Sequence, residues 1–463
     1  MRLASRYIGD KAFYRRAMAV AVPIMLQNGI TNFVSMLDNL MVGSVGTVEM
    51  TGVAVANQLM FVYMLCLFGA VSGAGIFGAQ FFGKGDKEGL CYSFRFKLLL
   101  CAVLTVAATA VFWFAGEPLA ALFLQGEGSA ADAAASLAHA KSYMRIMLIG
   151  MIPNALIQCY ASTLRETGET MLPMKAGITA VLVNLFFNYV LIFGKFGAPK
   201  LGVEGAAIAT VISRFVEVAI VMIWTHRRRE QYAFVAEAYH SAYIPGRLMV
   251  SMLGKGAPLM INEALWSAGI TMVNQCYSVR GLNVVAAMNI SQTFWNVFSV
   301  TFMAIGTAIG IIVGQMLGAE EFEEARDADR KLIAFSLFVS LIIGVTYAIA
   351  AQFIPMLYNT TDDVRTLASG VMTISACMMP LVAFCHASYF TLRSGGKTLV
   401  TFLFDSCFVW ILNVPLAFVL SRYTGVDILV LYFCCQALEL IKCILGGILL
   451  KKGVWVRSVV SDQ

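Results

Sequence analysis

The sequence predicts an all-α membrane protein of twelve transmembrane helices, arranged as two six-helix bundles that are parallel repeats of one another. Three observations predict it. First, 59% of the 463 residues are apolar and 13% charged, with a mean hydropathy of +0.77, whereas a soluble domain carries about 25% charged residues. Second, the apolar residues fall in many runs of about 20, the length needed to cross a hydrocarbon core of roughly 30 Å. Backbone amides in lipid must be bonded within their own segment, so these runs read as helices, and the alternation expected of barrel strands is absent. Third, the chain repeats itself.

In order, the predicted spans are residues 17–42, 52–82, 95–115, 136–161, 171–194 and 203–224, then 248–278, 284–316, 331–353, 366–391, 399–420 and 427–450. Connections are short. The longest polar stretch, His226–Gly246, contains Arg227, Arg228 and Arg229 and divides the chain. Residues 1–230 are expected to form the N-terminal bundle, with a basic N-terminal segment and the central linker, and 231–463 the C-terminal bundle. Met1–Arg16 is basic and amphipathic, without the short apolar core and small-residue cleavage site of a signal peptide, so the first span is expected to be retained.

Most of the 33 Lys and Arg lie at the termini and in the even-numbered loops: Arg15, Arg16, Lys84, Lys87, Arg326, Arg330, Arg393, Lys397, Lys451 and Lys452 are examples. Gly43–Thr51 has none. This asymmetry places both termini in the cytoplasm, and an even number of spans is required. Basic residues at helix ends are a topology signal, so the net charge of +6 does not imply a nucleic-acid partner. The eleven cysteines sit mostly inside apolar runs with no CxxC spacing, which reads as small hydrophobes and not as a zinc or disulfide framework.

A shift of 235 residues lays Pro23-Ile24-Met25-Leu26-Gln27 on Pro258-Leu259-Met260-Ile261-Asn262, and Gly75, Gln80 and Gly83 on Gly310, Gln315 and Gly318. Further along, Leu164, Arg165 and Thr170 fall on Leu392, Arg393 and Thr398, and Glu217 on Glu439. Six spans per half make the repeats parallel, about an axis along the membrane normal.

Ionisable groups inside spans cost at least about 2.5–3.5 kcal/mol to insert and are therefore functional candidates. Asp38 lies well inside the first span with no cation in its own span, and a carboxylate there can take up a proton or Na⁺; the competing reading is a helix N-cap or an interfacial acid near the outer end. Asn184 and Asn188 share a face of the fifth span at i, i+4; their carbonyls suit a cation, and the competing reading is interhelical hydrogen bonding. Glu263 follows Pro258, which frees backbone carbonyls, and is a second candidate protonation or cation site; the competing reading is an acid near the cytoplasmic helix start, favoured by the helix dipole. Glu217 and Glu439, three residues from Arg214 and Lys442, read as structural ion pairs. Asp405, with Trp410 five residues later, is open between contact with a cationic substrate and a structural hydrogen bond. His386 reads as core or proton relay. The 25 Met and 32 Phe suit a pocket for flat or cationic ligands, although most must face lipid or pack between helices. No ATP-binding, HExxH or GxSxG motif is present, so no cofactor is expected, and transport either draws on an ion gradient or is passive.

These residues resemble the multidrug and toxic compound extrusion (MATE) family: Pro23-xxx-Gln27-Asn28, Asp38-Asn39-Leu40-Met41-Val42-Gly43, Gln80-xx-Gly83, Leu164-Arg165-xx-Gly168 and its echo Leu392-Arg393-x-Gly395. The resemblance covers about residues 15–450. It implies a V-shaped pair of bundles and an antiporter that takes up Na⁺ or H⁺ and expels organic cations or amphipathic drugs. It implies a cation site at Asp38, Asn184 and Asn188, joined by Thr210 of the sixth span, and a C-terminal acid at Glu263. Gln27, Asn28, His386, Asp405 and Trp410 are the candidate cavity residues. Some members have Asp where this chain has Asn188, and the tenth-span acid of another branch has no match, His386 standing in that region. The expected setting is a bacterial inner membrane, with lipid as the surrounding partner and the protein a monomer. A flippase for lipid-linked sugars expects a basic cavity, whereas the deep charges here are mostly acidic, Arg145 and Arg214 aside. An enzyme expects a His, Asp or Cys cluster at one depth, and none is visible.

Overall fold

The computed structural model describes residues 7–124 and 130–461. Among them there is no strand. The helices are α1 (Lys11–Gly43), α2 (Thr47–Lys84), α3 (Lys87–Phe123), α4 (Ala130–Glu166), α5 (Met171–Phe193), α6 (Val203–Arg227), a short α7 (Ala233–Ala238), α8 (Gly246–Ser278), α9 (Leu282–Phe298), α10 (Val300–Gly318), α11 (Phe322–Phe353) and α12 (Asp362–Ser394). Two further rods, α13 (Thr398–Tyr423) and α14 (Ile428–Lys452), complete the chain.

Every expected span is helical, and eleven helices among the described residues are long and apolar enough to cross a membrane. The remaining expected span, the seventh, is α8; it has the length, at 33 residues, but carries Arg247, Lys255, Asn262, Glu263, Asn274 and Gln275. The eighth expected span is interrupted at Ser299, so that α9 and α10 share it. In α13 the middle is wound as two π-helical turns, Leu403–Cys407 and Val409–Asn413, a winding that is often found at functional sites.

Part of the expected linker folds as α7. Phe234 and Val235 are buried, and Arg95 of α3 donates to three carbonyls of the segment: Glu237 (2.5 Å), Ala238 (3.1 Å) and Tyr243 (3.2 Å). The guanidinium fork suits such multiple donation. The Tyr239 hydroxyl lies 2.6 Å from that of Tyr160 in α4.

The chain packs as two compact units. Unit 1 is Met1–Met25, Ala79–Gly85 and Ala257–Gln463; unit 2 is Leu26–Gly78 and Asp86–Gly256. Pro23 and Pro258, equivalent in the repeat, each stand within two residues of a point where the chain passes from one unit to the other. A proline inside a helix frees the carbonyl four residues earlier and loosens the ladder there.

Unit 1 centres on buried Ile309, Val313, Leu317, Leu332 and Leu392. Within it the repeat motif acquires a physical reason. A Cβ on Gly83 would overlap the Gln315 carbonyl oxygen, and a Cβ on Gly318 would overlap that of Gln80. Glycine at both positions lets the end of α2 and α10 touch backbone to backbone, the contact that small residues permit in membranes. Gln80 is fully buried. Its Nε2 donates to the Ser394 carbonyl (2.9 Å), and its Oε1 accepts from the Val459 backbone N–H (2.7 Å). In unit 2, α5 and α6 lie close enough that a Cβ on Gly205 would sit 2.7 Å from the Leu191 carbonyl carbon.

Candidate functional site

The sequence-predicted residues fall into two groups, one in each unit. In unit 2, Asp38 of α1, Asn184 and Asn188 of α5 and Thr210 of α6 converge. The i, i+4 spacing puts both amides on one helix face; Asn184 is 6% exposed and Asn188 2%. Asn188 Nδ2 donates to Asp38 Oδ1 (2.7 Å) and lies 3.1 Å from Asn184 Oδ1. With the Asn184 amide turned so that its oxygen accepts from Thr210 Oγ1 (3.2 Å), its nitrogen donates to Asp38 Oδ2 (2.9 Å). The network decides such an orientation. Asn188 Oδ1 is buried with no hydrogen-bond partner among the described residues. Thr210 Oγ1 also lies 3.0 Å from the Ala206 carbonyl oxygen, so its single hydroxyl proton is shared between that carbonyl and Asn184.

This cluster borders a cavity of about 390 Å³. Asp38, Asn188 and Thr210 supply polar wall; Phe61, Tyr63 and Tyr143 supply aromatic wall, and Met60, Met64, Met147 and Met151 the thioethers. Arg214 also lines it, and its Nη1 is bound to Glu217 Oε2 at 2.9 Å, the pair expected from their spacing of three. Chemically the cavity offers one carboxylate, amide and hydroxyl oxygens beside it, and an adaptable apolar lining. A carboxylate removed from water needs either donors or a cation, and here it has amide donors and an unused oxygen next to it. Gln27 does not line this cavity. Its Oε1 accepts from Arg165 Nη2 (2.8 Å), and its amide packs on Gly177, where a Cβ would come within 2.6 Å of Nε2. Asn28 is exposed.

In unit 1, Glu263, Asp405, Trp410 and His386 occupy the second group. Tyr389, 8% exposed, donates to Glu263 Oε1 at 3.1 Å. Asn262 Nδ2 donates to Asp405 Oδ2 (3.2 Å), while Asn262 O and Oδ1 both accept from Ser406 Oγ (2.7 Å). The first π turn of α13 thus holds Asp405 and Ser406 against α8. Lys442 of α14 donates to Asp405 Oδ1 at 2.7 Å. Lys442, 7% exposed, also lies 5.3 Å from the Phe404 ring centroid. The sequence pairs Lys442 with Glu439 by spacing; the structure pairs it with Asp405, because α13 brings the carboxylate across from the next rod. Trp410 Nε1 donates to the Leu265 carbonyl (2.8 Å), and Gly269 lets the Trp410 ring approach α8. His386 packs edge-on to Phe302 and Phe390, with ring centroids 6.0 and 5.0 Å apart, against Gly306.

Sequence reasoning missed a third polar centre, in unit 2. Lys97 of α3 is fully buried and 2.5 Å from Glu166 Oε2 of α4. Its Nζ also donates to Thr163 Oγ1 (2.9 Å), and Ser162 Oγ donates to Glu166 Oε1 (2.5 Å). A Cβ on Gly75 would come within 2.7 Å of the Glu166 carboxylate, so the carboxylate fills space that this glycine leaves open. The available signal was a basic residue just inside the third expected span and an acidic residue five positions past the end of the fourth, which reads equally as two interfacial charges.

A family model for MatE matches residues 23–190 and 258–419. The probable multidrug resistance protein NorM of Thermotoga maritima is 25% identical over 459 residues, 97% of this chain and 94% of that protein. The probable multidrug resistance protein YoeA of Bacillus subtilis is 26% identical, over 90% of this chain and 89% of its own length. Among solved structures, an outward-facing multidrug resistance MATE family transporter superposes with a TM-score of 0.85 at 17% identity, covering 96% of this chain and 97% of the other. The Vibrio cholerae MATE transporter VcmN in its bent form gives 0.83 at 19%, covering 95% and 97%; these two similarities speak for the fold. A matched model that spans most of the chain in two repeated blocks settles the classification: the chain belongs to the MatE, or multidrug and toxic compound extrusion, family of multi-pass membrane transporters, and it is not an enzyme.

Proposed function

We propose that the protein is a cation-coupled antiporter that exports organic cations and amphipathic drugs across a bacterial inner membrane by alternating access, with both termini cytoplasmic and Na⁺ or H⁺ as the coupling ion. The observation that carries this reading is the unit 2 cluster: the Asp38 carboxylate in contact with the amides of Asn188 and Asn184 at the wall of a Met- and aromatic-lined cavity. The names of the relatives, multidrug resistance proteins, agree with it.

Coupling follows from competition for one charge. With Asp38 ionised, the cavity attracts a cationic drug. A proton on Asp38, or a Na⁺ ion held by Asp38, Asn184, Asn188 and Thr210 oxygens, cancels that charge and lowers drug affinity. An ion moves the balance between outward- and inward-open states only through its different affinity for the two. Glu263, hydrogen-bonded to Tyr389, is the second acid available in unit 1. The flippase alternative loses support because Arg214, the cation at this cavity, is bound to Glu217.

The test is drug efflux from proteoliposomes under imposed Na⁺ or pH gradients. Asp38→Asn should insert normally and lose gradient-driven efflux. Full transport by that variant would overturn the role given to Asp38, and efflux indifferent to both gradients would overturn coupling.

A further inference from the structure

Unit 1 holds a second cavity, of about 660 Å³, bordered by α11, α12, α14 and the residues that follow α14. Its rim is basic: Arg326 and Arg330 from the start of α11, and Lys451 and Lys452 from the last turn of α14. Arg326 is bound to Glu323 Oε1 (2.6 Å). Arg330, Lys451 and Lys452 are in no salt bridge among the described residues. The one acid in the lining, Asp329, is 3% exposed and accepts from Thr391 Oγ1 at 2.5 Å. Trp455 also lines the cavity; it is 2% exposed, and its Nε1–H has no acceptor among the described residues.

The remaining wall is apolar and runs along the helix axis. Leu337 lies seven residues beyond Arg330, about 10 Å further along α11. Ile333, Phe384 and Leu450 fill the interval. Past the cavity the apolar surface continues outward: Phe338, Leu341 and Val345 of α11 are exposed at 62%, 56% and 55%. A basic mouth at a helix end, opening into an apolar trough that runs along the membrane-spanning rod, matches neither a drug path nor a coupling-ion site.

We propose that this cavity is a binding site for an anionic glycerophospholipid of the surrounding leaflet. The phosphodiester is held by Arg330, Lys451 and Lys452, the Trp455 indole donates to a phosphate or ester oxygen, and the acyl chains lie along Ile333, Leu337 and Leu450. Basic pockets between spanning helices select anionic headgroups in this way. The trough is what separates a lipid from a free phosphate, which has no use for it.

The test uses the full-length protein in detergent, titrated with phosphatidylglycerol or phosphatidylcholine and followed by native mass spectrometry. The wild type should bind phosphatidylglycerol in preference to phosphatidylcholine. Each removed charge should weaken that binding about fivefold, so the triple change Arg330→Ala, Lys451→Ala, Lys452→Ala should weaken it roughly 100-fold and erase the preference. Leu337→Trp, which fills the trough and leaves the rim intact, should lower phosphatidylglycerol binding as well; circular dichroism and gel filtration confirm that both variants are folded. Equal binding of the two lipids by the wild type, or undiminished phosphatidylglycerol binding by the triple variant, would overturn the proposal. So would displacement by inorganic phosphate at matched concentration together with an inert Leu337→Trp, since that pattern describes a site for free anions.

Discussion

Replacing Lys442 by Met isolates the buried charge balance of unit 1. Lys442 and Asp405 lie 2.7 Å apart, with side chains only 9% and 16% exposed. At an effective dielectric near 20, unit charges at that distance attract by roughly 6 kcal/mol, and desolvating both ions cancels most of it. Removing only the lysine leaves the Asp405 carboxylate hydrogen-bonded to the Asn262 amide but without its counter-charge. Breaking one side of such a pair typically costs about 3–5 kcal/mol, and the membrane-embedded denatured state, which finds partners of its own, pulls the expectation toward about 3 kcal/mol. Asp405→Asn keeps a hydrogen-bonding group next to Asn262 and should cost about 1–2 kcal/mol. The double variant should fall near Asp405→Asn alone, giving a coupling energy of about 3 kcal/mol, the whole cost of Lys442→Met. The assay is reversible SDS unfolding in mixed micelles, read by helical circular dichroism. A loss below about 1 kcal/mol for Lys442→Met, or strict additivity in the double variant, would refute the reasoning. Asp405 would then be free to meet a substrate cation.

Further outcomes follow from the same geometry. Asn188→Leu removes a donor to Asp38 and an unpartnered oxygen while roughly keeping volume; it should abolish ion-driven efflux yet retain insertion, as shown by transport measured against protein content in proteoliposomes. Thr210→Ala removes one hydroxyl and should weaken Na⁺ dependence severalfold without loss of fold; an unchanged Na⁺ dependence would remove Thr210 from the site. Gly83→Ala and Gly318→Ala each force a methyl into the facing backbone carbonyl, so both should lower thermal stability in detergent, and by similar amounts, because the contacts are reciprocal. Lys97→Met removes the ammonium paired with buried Glu166 and should cost about 3 kcal/mol in the same SDS assay, with Lys97→Met/Glu166→Gln recovering most of it.

The sequence by itself determined the class of solvent, the number of long helical rods and the repeat, because run length and backbone self-satisfaction leave lipid-embedded chains few choices. Asn184 and Asn188 on one face were legible because helical spacing is local, and so was the Arg214–Glu217 pair. What only the tertiary structure decided is everything that joins different rods. It set Asp405 on Lys442 and not Glu439 on Lys442, drew Lys97 onto Glu166, sent Gln27 to Arg165 and away from the Asp38 cavity, folded α7 under Arg95, and made the Gly83 and Gly318 repeats touch each other's partner carbonyls. Periodicity fixes which face of a helix a residue occupies, but not which neighbour that face meets. The meeting is set by rotation and depth of each rod, which depend on small-residue contacts and buried charge pairing summed over the whole bundle.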